Sequence, residues 1–265
     1  MNRILITGAA GEIGTVLRAG LAGHYSLRLL DVRPCANVTT GEEAMVADVG
    51  DVAAVTAAAR GIDCIVHLAG VPREGPWDQI LPRNIAGTYN VFEAARASGV
   101  KRVIFASSNH VIGFHRVGKH VDEHSALRPD SRYGVSKVFG EAVGRLYADK
   151  HGLSVACLRI GSFRDAPKNA RELRTWISHR DTVQLVRRCI DAPKFSFIVV
   201  YGVSANTRNE WHDSMAERIG FHPEDNAEQF AAQLEGKTYP PGPASDFHGG
   251  EPCAMEFSGD PSRVE

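Results

Sequence analysis

Cysteine is scarce. The chain of 265 residues has five, Cys35, Cys64, Cys157, Cys189 and Cys253, odd in number, widely spaced and without a C-x-x-C. That argues against a disulfide framework or a structural zinc site and leaves buried free thiols, none of them in a catalytic motif. An excess of charge is lacking too. Thirty Lys and Arg stand against 31 Asp and Glu, so no global field favours nucleic acid or an anionic membrane. No apolar run approaches the length of a membrane span. "MNRILITGAAG" enters a strand at once, which leaves no room for a signal peptide and makes the cytoplasm the expected compartment. No internal repeat is found. What is present is ordinary for a globular chain, 43% apolar and 23% charged residues, and the length suits one large α/β domain or one domain with a small appendage.

Short apolar runs alternate with helical patterns. "RILIT" (3–7), "SLRLLD" (26–31), "AMVAD" (44–48), "CIVHLAG" (64–70), "RVIFASS" (102–108), "SVACLRI" (154–160) and "SFIVVYG" (196–202) are expected strands, several apolar throughout as in strands covered on both faces. Helices are expected over 12–23, 51–60, 84–99, 133–151, 181–191, 211–219 and 226–235. The alternation implies an α/β fold, a Rossmann-type doubly wound parallel sheet with right-handed crossovers. After about residue 161 the periodicity weakens. The Pro- and Gly-rich end, "TYPPGPASDFHGGEPCAMEFSGDPSRVE", suits an arm lying on the body or on a partner, or partly disordered.

"ILITGAAGEIG" sets Gly8, Gly11 and Gly14 at G-x-x-G-x-x-G spacing between a strand and a helix. Glycine allows the tight turn and close approach to a pyrophosphate, and the helix N-terminus offers free N–H groups to the phosphates. Asp31 ends the second strand, where a carboxylate accepts both ribose hydroxyls of an adenosine and repels a 2′-phosphate. NAD is therefore favoured over NADP, although Arg33 leaves tolerance of the phosphate open. Asp48 is placed to reach the adenine amino group, or else to cap the next helix. Ala69 and Gly70 of "HLAG" lie at the topological switch point, where small residues let a cofactor approach.

"RYGVSKVFGEA" sets Tyr133 and Lys137 four apart, on one helix face. An ammonium nearby, together with an oxidised nicotinamide, favours the phenolate and draws the tyrosine pKa down from about 10. Such a tyrosine can take a proton from a substrate hydroxyl while hydride leaves the carbon.

Taken together, "TGAAGEIG", "DV" (31–32), "HLAG" (67–70), "NIAGTYNVFEAAR" (84–96), "SS" (107–108) and "YGVSK" (133–137) resemble the extended branch of the short-chain dehydrogenase/reductase superfamily. The resemblance implies that Ser108 is the catalytic serine, Tyr133 the acid/base, and Lys137 the group that lowers its pKa and holds the nicotinamide ribose. It also implies cofactor contacts from Gly8, Gly11, Glu12, Ile13, Asp31, Asp48, Val49, Leu68, Ala69, Gly70, Asn84 and Ile160. Asn84 equally suits a helix N-cap. Residues 1–160 would then be the NAD-binding core with the catalytic trio. Residues 161–265 would add a small substrate-binding cap, the last sheet elements and the arm, in one integrated domain. Helices 84–99 and 133–151 are those this superfamily often pairs, so a homo-oligomer is expected.

Fold alone does not settle the reaction. Sugar-nucleotide dehydratases of this superfamily carry an acidic pair after the strand-five hydroxyl; here Asn109 and His110 follow, which disfavours elimination. About 100 residues beyond the core suit a small polar substrate better than a nucleotide sugar. "FASSNHVIGF", "RPDSRYGVSK", "LRIGSF", "NARELRTWISHRD", "VYGVSAN" and "HPEDNAEQF" resemble the uronate dehydrogenases. The implied reaction is NAD-dependent oxidation at C1 of cyclic D-glucuronate or D-galacturonate to the aldarolactone. Ser108, Asn109, His110, Tyr133 and Ser162 would meet the sugar oxygens, though Ser162 also suits a turn. A carboxylate calls for a guanidinium, and "NARELRTW" offers Arg171 and Arg174; the resemblance selects Arg171, against the alternative of a surface arginine. One departure is Pro72, where these enzymes typically place a serine, which leaves the preference between the two uronates open. No metal is expected. "HVDEH" (120–124) matches a zinc-peptidase pattern, but Gly118 and Pro129 disfavour the helix it needs. Two alternatives remain, a sugar or nucleotide-sugar epimerase of the same superfamily and a non-catalytic NAD-sensing regulator.

Overall fold

The computed structural model describes residues 1–212 and 214–264. Seven parallel strands form one sheet: β1 (Arg3–Thr7), β2 (Ser26–Asp31), β3 (Glu42–Val46), β4 (Cys64–His67), β5 (Arg102–Ser108), β6 (Ser154–Ile160) and, skipping a two-stranded ribbon, β9 (Phe197–Gly202). Their order is β3-β2-β1-β4-β5-β6-β9. The chain reverses its direction of travel between β1 and β4, so the crevice for a ligand opens at the carboxyl ends of these two strands. The register holds those ends level: Thr7 faces His67, and Ser108 pairs with Ile160, which pairs with Gly202.

The apolar runs that predict strands are buried on both faces. One layer, α1 (Glu12–Leu21) and α7 (His179–Asp191), packs Leu17, Leu185 and Ile190 on Ile4, Val66, Ile104 and Leu158. The other, α2 (Val52–Ala59), α4 (Gly87–Ala97) and α5 (Arg132–His151), packs Val55, Phe92 and Tyr147 on Leu5, Ile65, Phe105 and Val155. Strand β3 starts and stops two residues before the expected 44–48. It is an edge strand with exposed faces, and ion pairs of Glu42 with Arg18 and Glu43 with Arg28 place it, where an apolar count cannot.

The expected helix 84–99 is longer and irregular. The short α3 (Trp77–Ile80) widens into a π-turn over Leu81–Ala86 and continues as α4. Pro82 supplies no N–H, and its carbonyl accepts from Gly87. Residues 227–234 are a 3₁₀ helix; of the expected helix 211–219, Trp211 and His212 are not helical, residue 213 lies outside the described residues, and Ser214–Ile219 (α8) is helical. The ribbon β7 (Ser162–Phe163) with β8 (Trp176–Ile177), between which lies α6 (Glu172–Thr175), was not expected. The end of the chain carries two short helices, α9 (Pro243–Asp246) and α10 (Glu251–Ala254), and lies on the body. There Val117 N–H donates to Asp246 O, His248 N–H to His115 O and Gly249 N–H to Gly113 O, each at 2.9 Å. No helix of the described residues is long and apolar enough to cross a membrane.

Candidate active site

The glycine loop closes on backbone. Gly8 adopts φ +73° and donates to Leu30 O at 2.8 Å. A Cβ there would lie 2.8 Å from Ala69 N, and one on Gly14 would lie 2.3 Å from Gly8 O. The loop can therefore be this narrow only with glycine. Gly11 N–H donates to Gly8 O, and Glu12 and Ile13 open α1 behind it, its amides at the mouth of the crevice. Asp31, nearly buried at the end of β2, accepts from Ala10 N–H at 2.9 Å and Arg33 N–H at 3.0 Å. Arg33 in turn donates to Ala10 O and lies over this carboxylate. A cradle that a side chain would fill, next to a strand-end carboxylate, fits an adenosine diphosphate such as that of NAD.

Asp48 lies two residues beyond β3 and accepts from Gly50 N–H; α2 is capped instead by Asp51, which takes the N–H groups of Ala53 and Ala54. Val49 is buried beside it, against Gly87. Leu68 and Ala69 continue from β4 by bonds to Thr7 O and Thr7 Oγ1. Asn84 caps no helix. From the π-turn its amide takes Val71 N–H at 2.7 Å and donates to Val71 O and to Ser136 Oγ. It thus ties the loop after β4, including Gly70, to the helix that carries Tyr133 and Lys137.

That helix, α5, is started by Ser131, whose Oγ accepts from Gly134 N–H at 3.0 Å, and by Glu74, which accepts from Tyr133 N–H at 2.9 Å. Tyr133 and Lys137 are both buried, with Nζ 5.4 Å from the Tyr133 ring centre. Nζ donates to Ala106 O at 2.7 Å and stands 5.0 Å over the Phe105 ring. Burial lowers the Lys137 ammonium to about 8. Burial also pushes the Tyr133 phenol up to about 12, against a hydrogen bond with Ser108 that pulls it down and the charge of Asp130 that raises it. The expected direction for Tyr133 is thus reversed in the protein by itself, because desolvation of a phenolate outweighs its neighbours.

The four polar residues that end β5 divide. Ser107 turns away to Glu141 at 2.6 Å, where Glu141 also binds Arg159 at 2.9 and 3.0 Å and Arg159 binds the Tyr201 hydroxyl. Ser108 faces Tyr133 and accepts from His110 N–H. Asn109, with its amide oriented to satisfy both neighbours, donates to Ile160 O at 3.1 Å and accepts from Arg171 at 2.9 Å. His110 Nδ1 meets Asp130 Oδ2 at 2.7 Å, and its ring stands edge-on to Tyr133, centres 5.8 Å apart. Arg171 donates Nε to His248 O at 2.8 Å and, among the described residues, forms no ion pair. Burial lowers its pKa against the pull of Tyr239 and Asp130. Ser162 Oγ shares a hydrogen bond with Thr175 Oγ1 at 2.9 Å. Arg174 has a buried Nε without a partner and lies in the field of Glu210 and Arg208.

Sequence reasoning missed Asp130, an ordinary residue of the loop "RPDSRY", and, although it expected an arm, it missed that the arm reaches the site. His248 and Gly250 hold Arg171: a Cβ on Gly250 would lie 2.6 Å from its Cδ. The one available signal was the glycine-rich "FHGGEP", which permits close approach but names no partner. In "HVDEH" there is no helix; His120 meets His212 at 3.0 Å and His124 is exposed.

Residues 4–179 match the model of the NAD dependent epimerase/dehydratase family. The chain is 44% identical to the uronate dehydrogenase of Pseudomonas putida over 247 residues, 92% of this chain and 91% of the relative. It superposes on the crystal structure of uronate dehydrogenase from Agrobacterium tumefaciens, a tyrosine-to-alanine variant complexed with NAD, with a TM-score of 0.91 at 43% identity, over 96% of this chain and 97% of that one. The glucuronic acid dehydrogenase structure from Chromohalobacter salexigens gives a TM-score of 0.92 at 39% identity, with 99% of both chains covered.

Proposed function

The chain belongs to the NAD dependent epimerase/dehydratase family, and we propose on that premise that it oxidises cyclic D-glucuronate or D-galacturonate at C1 to the aldarolactone. One observation carries the reading of this site. Arg171 is a guanidinium that forms no ion pair among the described residues, held by Asn109, the neighbour of Ser108, and by the His248 carbonyl. A half-buried cation so placed suits an anionic sugar through a paired N–H contact.

Arg171 and Asn109 hold the carboxylate end, and Ser162 and His110 meet hydroxyls of the ring. Ser108 donates to the anomeric oxygen, and Tyr133 takes the anomeric proton. Lys137 stands beneath the phenol and favours its charged form, and the same ammonium is in reach of a ribose hydroxyl. Gly8, Gly11, the start of α1 and Asp31 would hold NAD, which would supply a hydride acceptor and a positive ring. Because C1 already carries the ring oxygen, loss of a hydride from C1 and of the hydroxyl proton to Tyr133 leaves a lactone. The absence of a carboxylate after Ser108 removes the acid an elimination would need. Five free thiols suit a reducing cytoplasm, and exposed Tyr89, Val135 and Leu146 on α4 and α5 suit a homo-oligomer.

The test mixes purified protein with NAD and either uronate and follows the absorbance of reduced cofactor. Turnover with formation of NADH is expected. No signal with either uronate, together with interconversion of a nucleotide sugar and no net NADH, would replace this reading by an epimerase.

A further inference from the structure

The bond between His110 and Asp130 is the strongest polar feature of the crevice that the chemistry above leaves unused. The Asp130 side chain is fully buried. Two loops close on it without side chains: a Cβ on Gly113 or on Gly249 would lie 1.9 Å from Oδ2. Its other oxygen accepts from Ser131 Oγ at 2.6 Å, and the Cys253 thiol points to Oδ2 from 3.9 Å. Every neighbour offers a proton, so Asp130 is an acceptor at both oxygens. His110 Nδ1 must then be the donor in their bond. No protein group among the described residues bonds Nε2.

We infer that Asp130 is a positioning residue that locks His110 with its proton on Nδ1, so that Nε2 presents a lone pair and accepts a hydrogen bond from a substrate hydroxyl. The inference rests on the substrate reading above for the hydroxyl, but the locked tautomer stands on geometry alone. It makes His110 selective in kind. Arg171 and Asn109 can receive oxygen acceptors, whereas Nε2 requires a donor, which a ring hydroxyl has and an ether or a ketone lacks. The edge-on contact with Tyr133 holds the ring plane, and the bond to Asp130 fixes its rotation. Asp130 therefore acts on the substrate through His110 and touches no reacting atom.

Asp130→Asn tests this with little change of shape. Ser131 Oγ already accepts from Gly134 N–H and gives its one proton to residue 130, and the amide orientation that preserves this bond keeps the oxygen of residue 130 toward Ser131. The amide nitrogen then falls opposite His110 Nδ1 and forces the ring proton to Nε2. Expected from ¹⁵N-histidine NMR of the whole protein are a protonated Nδ1 and a bare Nε2 in the wild type, and the reverse in D130N. In D130N, kcat/KM for the uronate falls about ten- to a hundredfold, while the affinity for NAD measured without sugar stays within about twofold. In a His110→Ala background, D130N costs no more than about twofold, since the ring it orients is gone. A wild-type ring protonated on Nε2, a D130N enzyme with full kcat/KM, or additive effects of D130N and H110A would each overturn the inference. The wild-type NMR result decides even if D130N does not fold. It also decides if no uronate turns over, so the two proposals fail separately.

Discussion

His67, the last residue of β4, makes the stability of this protein fall with acid in a calculable way. Its ring is wholly buried between two threonines. Thr7 Oγ1, which accepts from Ala69 N–H, shares a hydrogen bond with His67 Nδ1 at 2.8 Å, and Nε2 shares one with Thr88 Oγ1 at 3.2 Å. Among the described residues, no carboxylate is bonded to the ring. Burial, and then the charge of Lys137, lower the ring to about 3 from the usual 6.5. The unfolded chain takes up this proton near pH 6.5 and the folded chain near 3. The contribution is therefore complete above the unfolded value and is lost as pH falls toward the folded one. From pH 7 to pH 5 the loss is about 2 kcal/mol. Urea unfolding of the wild type and of His67→Gln, whose amide can still donate to Thr88, isolates it from the other ten histidines. Between pH 6 and 5 the wild-type stability should fall more steeply than the variant's, by about 1.2 kcal/mol per pH unit. Equal slopes would refute the neutral, doubly bonded ring.

Tyr133→Phe should lower kcat by about two to four orders of magnitude while leaving NAD affinity within a few-fold; full turnover would remove Tyr133 from the chemistry. Arg171→Met should raise KM for a uronate about ten- to a hundredfold, as expected when a charged hydrogen-bonding partner is lost, with a smaller change in kcat; an unchanged KM would place the carboxylate elsewhere. Glu141→Gln strands the buried Arg159 guanidinium, whose pKa the carboxylate now raises, and should cost about 3–5 kcal/mol in urea unfolding. A loss under about 1 kcal/mol would show that the Tyr201 hydroxyl and the remaining amide oxygen suffice to hold Arg159.

Local patterns carried the sheet and the cofactor crevice. Strands β1, β2, β5 and β6 begin and end where their apolar runs do, because each is buried on both faces and no other structure hides such a run. The glycine loop was legible because its geometry is made by adjacent residues. The roles of Asp48 and Asp51 were not separable in "ADVGDV", where either carboxylate is near the start of a helix; Asp51 caps α2, and Asp48 turns back to Gly50 N–H. Asn84 was read as a cap or a cofactor neighbour, and it is a clamp because the π-turn swings its amide onto Val71. Asp130 was invisible for a different reason. Its partner His110 is twenty residues away, and the packing that makes it important comes from Gly113 and Gly249, on separate loops. Periodicity has no access to contacts of that range.

The arm also orders events in time. Gly8, Gly11 and Asp31, to which the proposed reading assigns the adenosine end, precede β6 in the chain, whereas Arg171 is not held until His248 and Gly250 exist. At ordinary rates of synthesis the ribosome needs roughly 5–20 s to cover that interval. On the proposed reading, a chain stalled within it would have the crevice for the cofactor and no hold on Arg171, the guanidinium offered to the sugar acid.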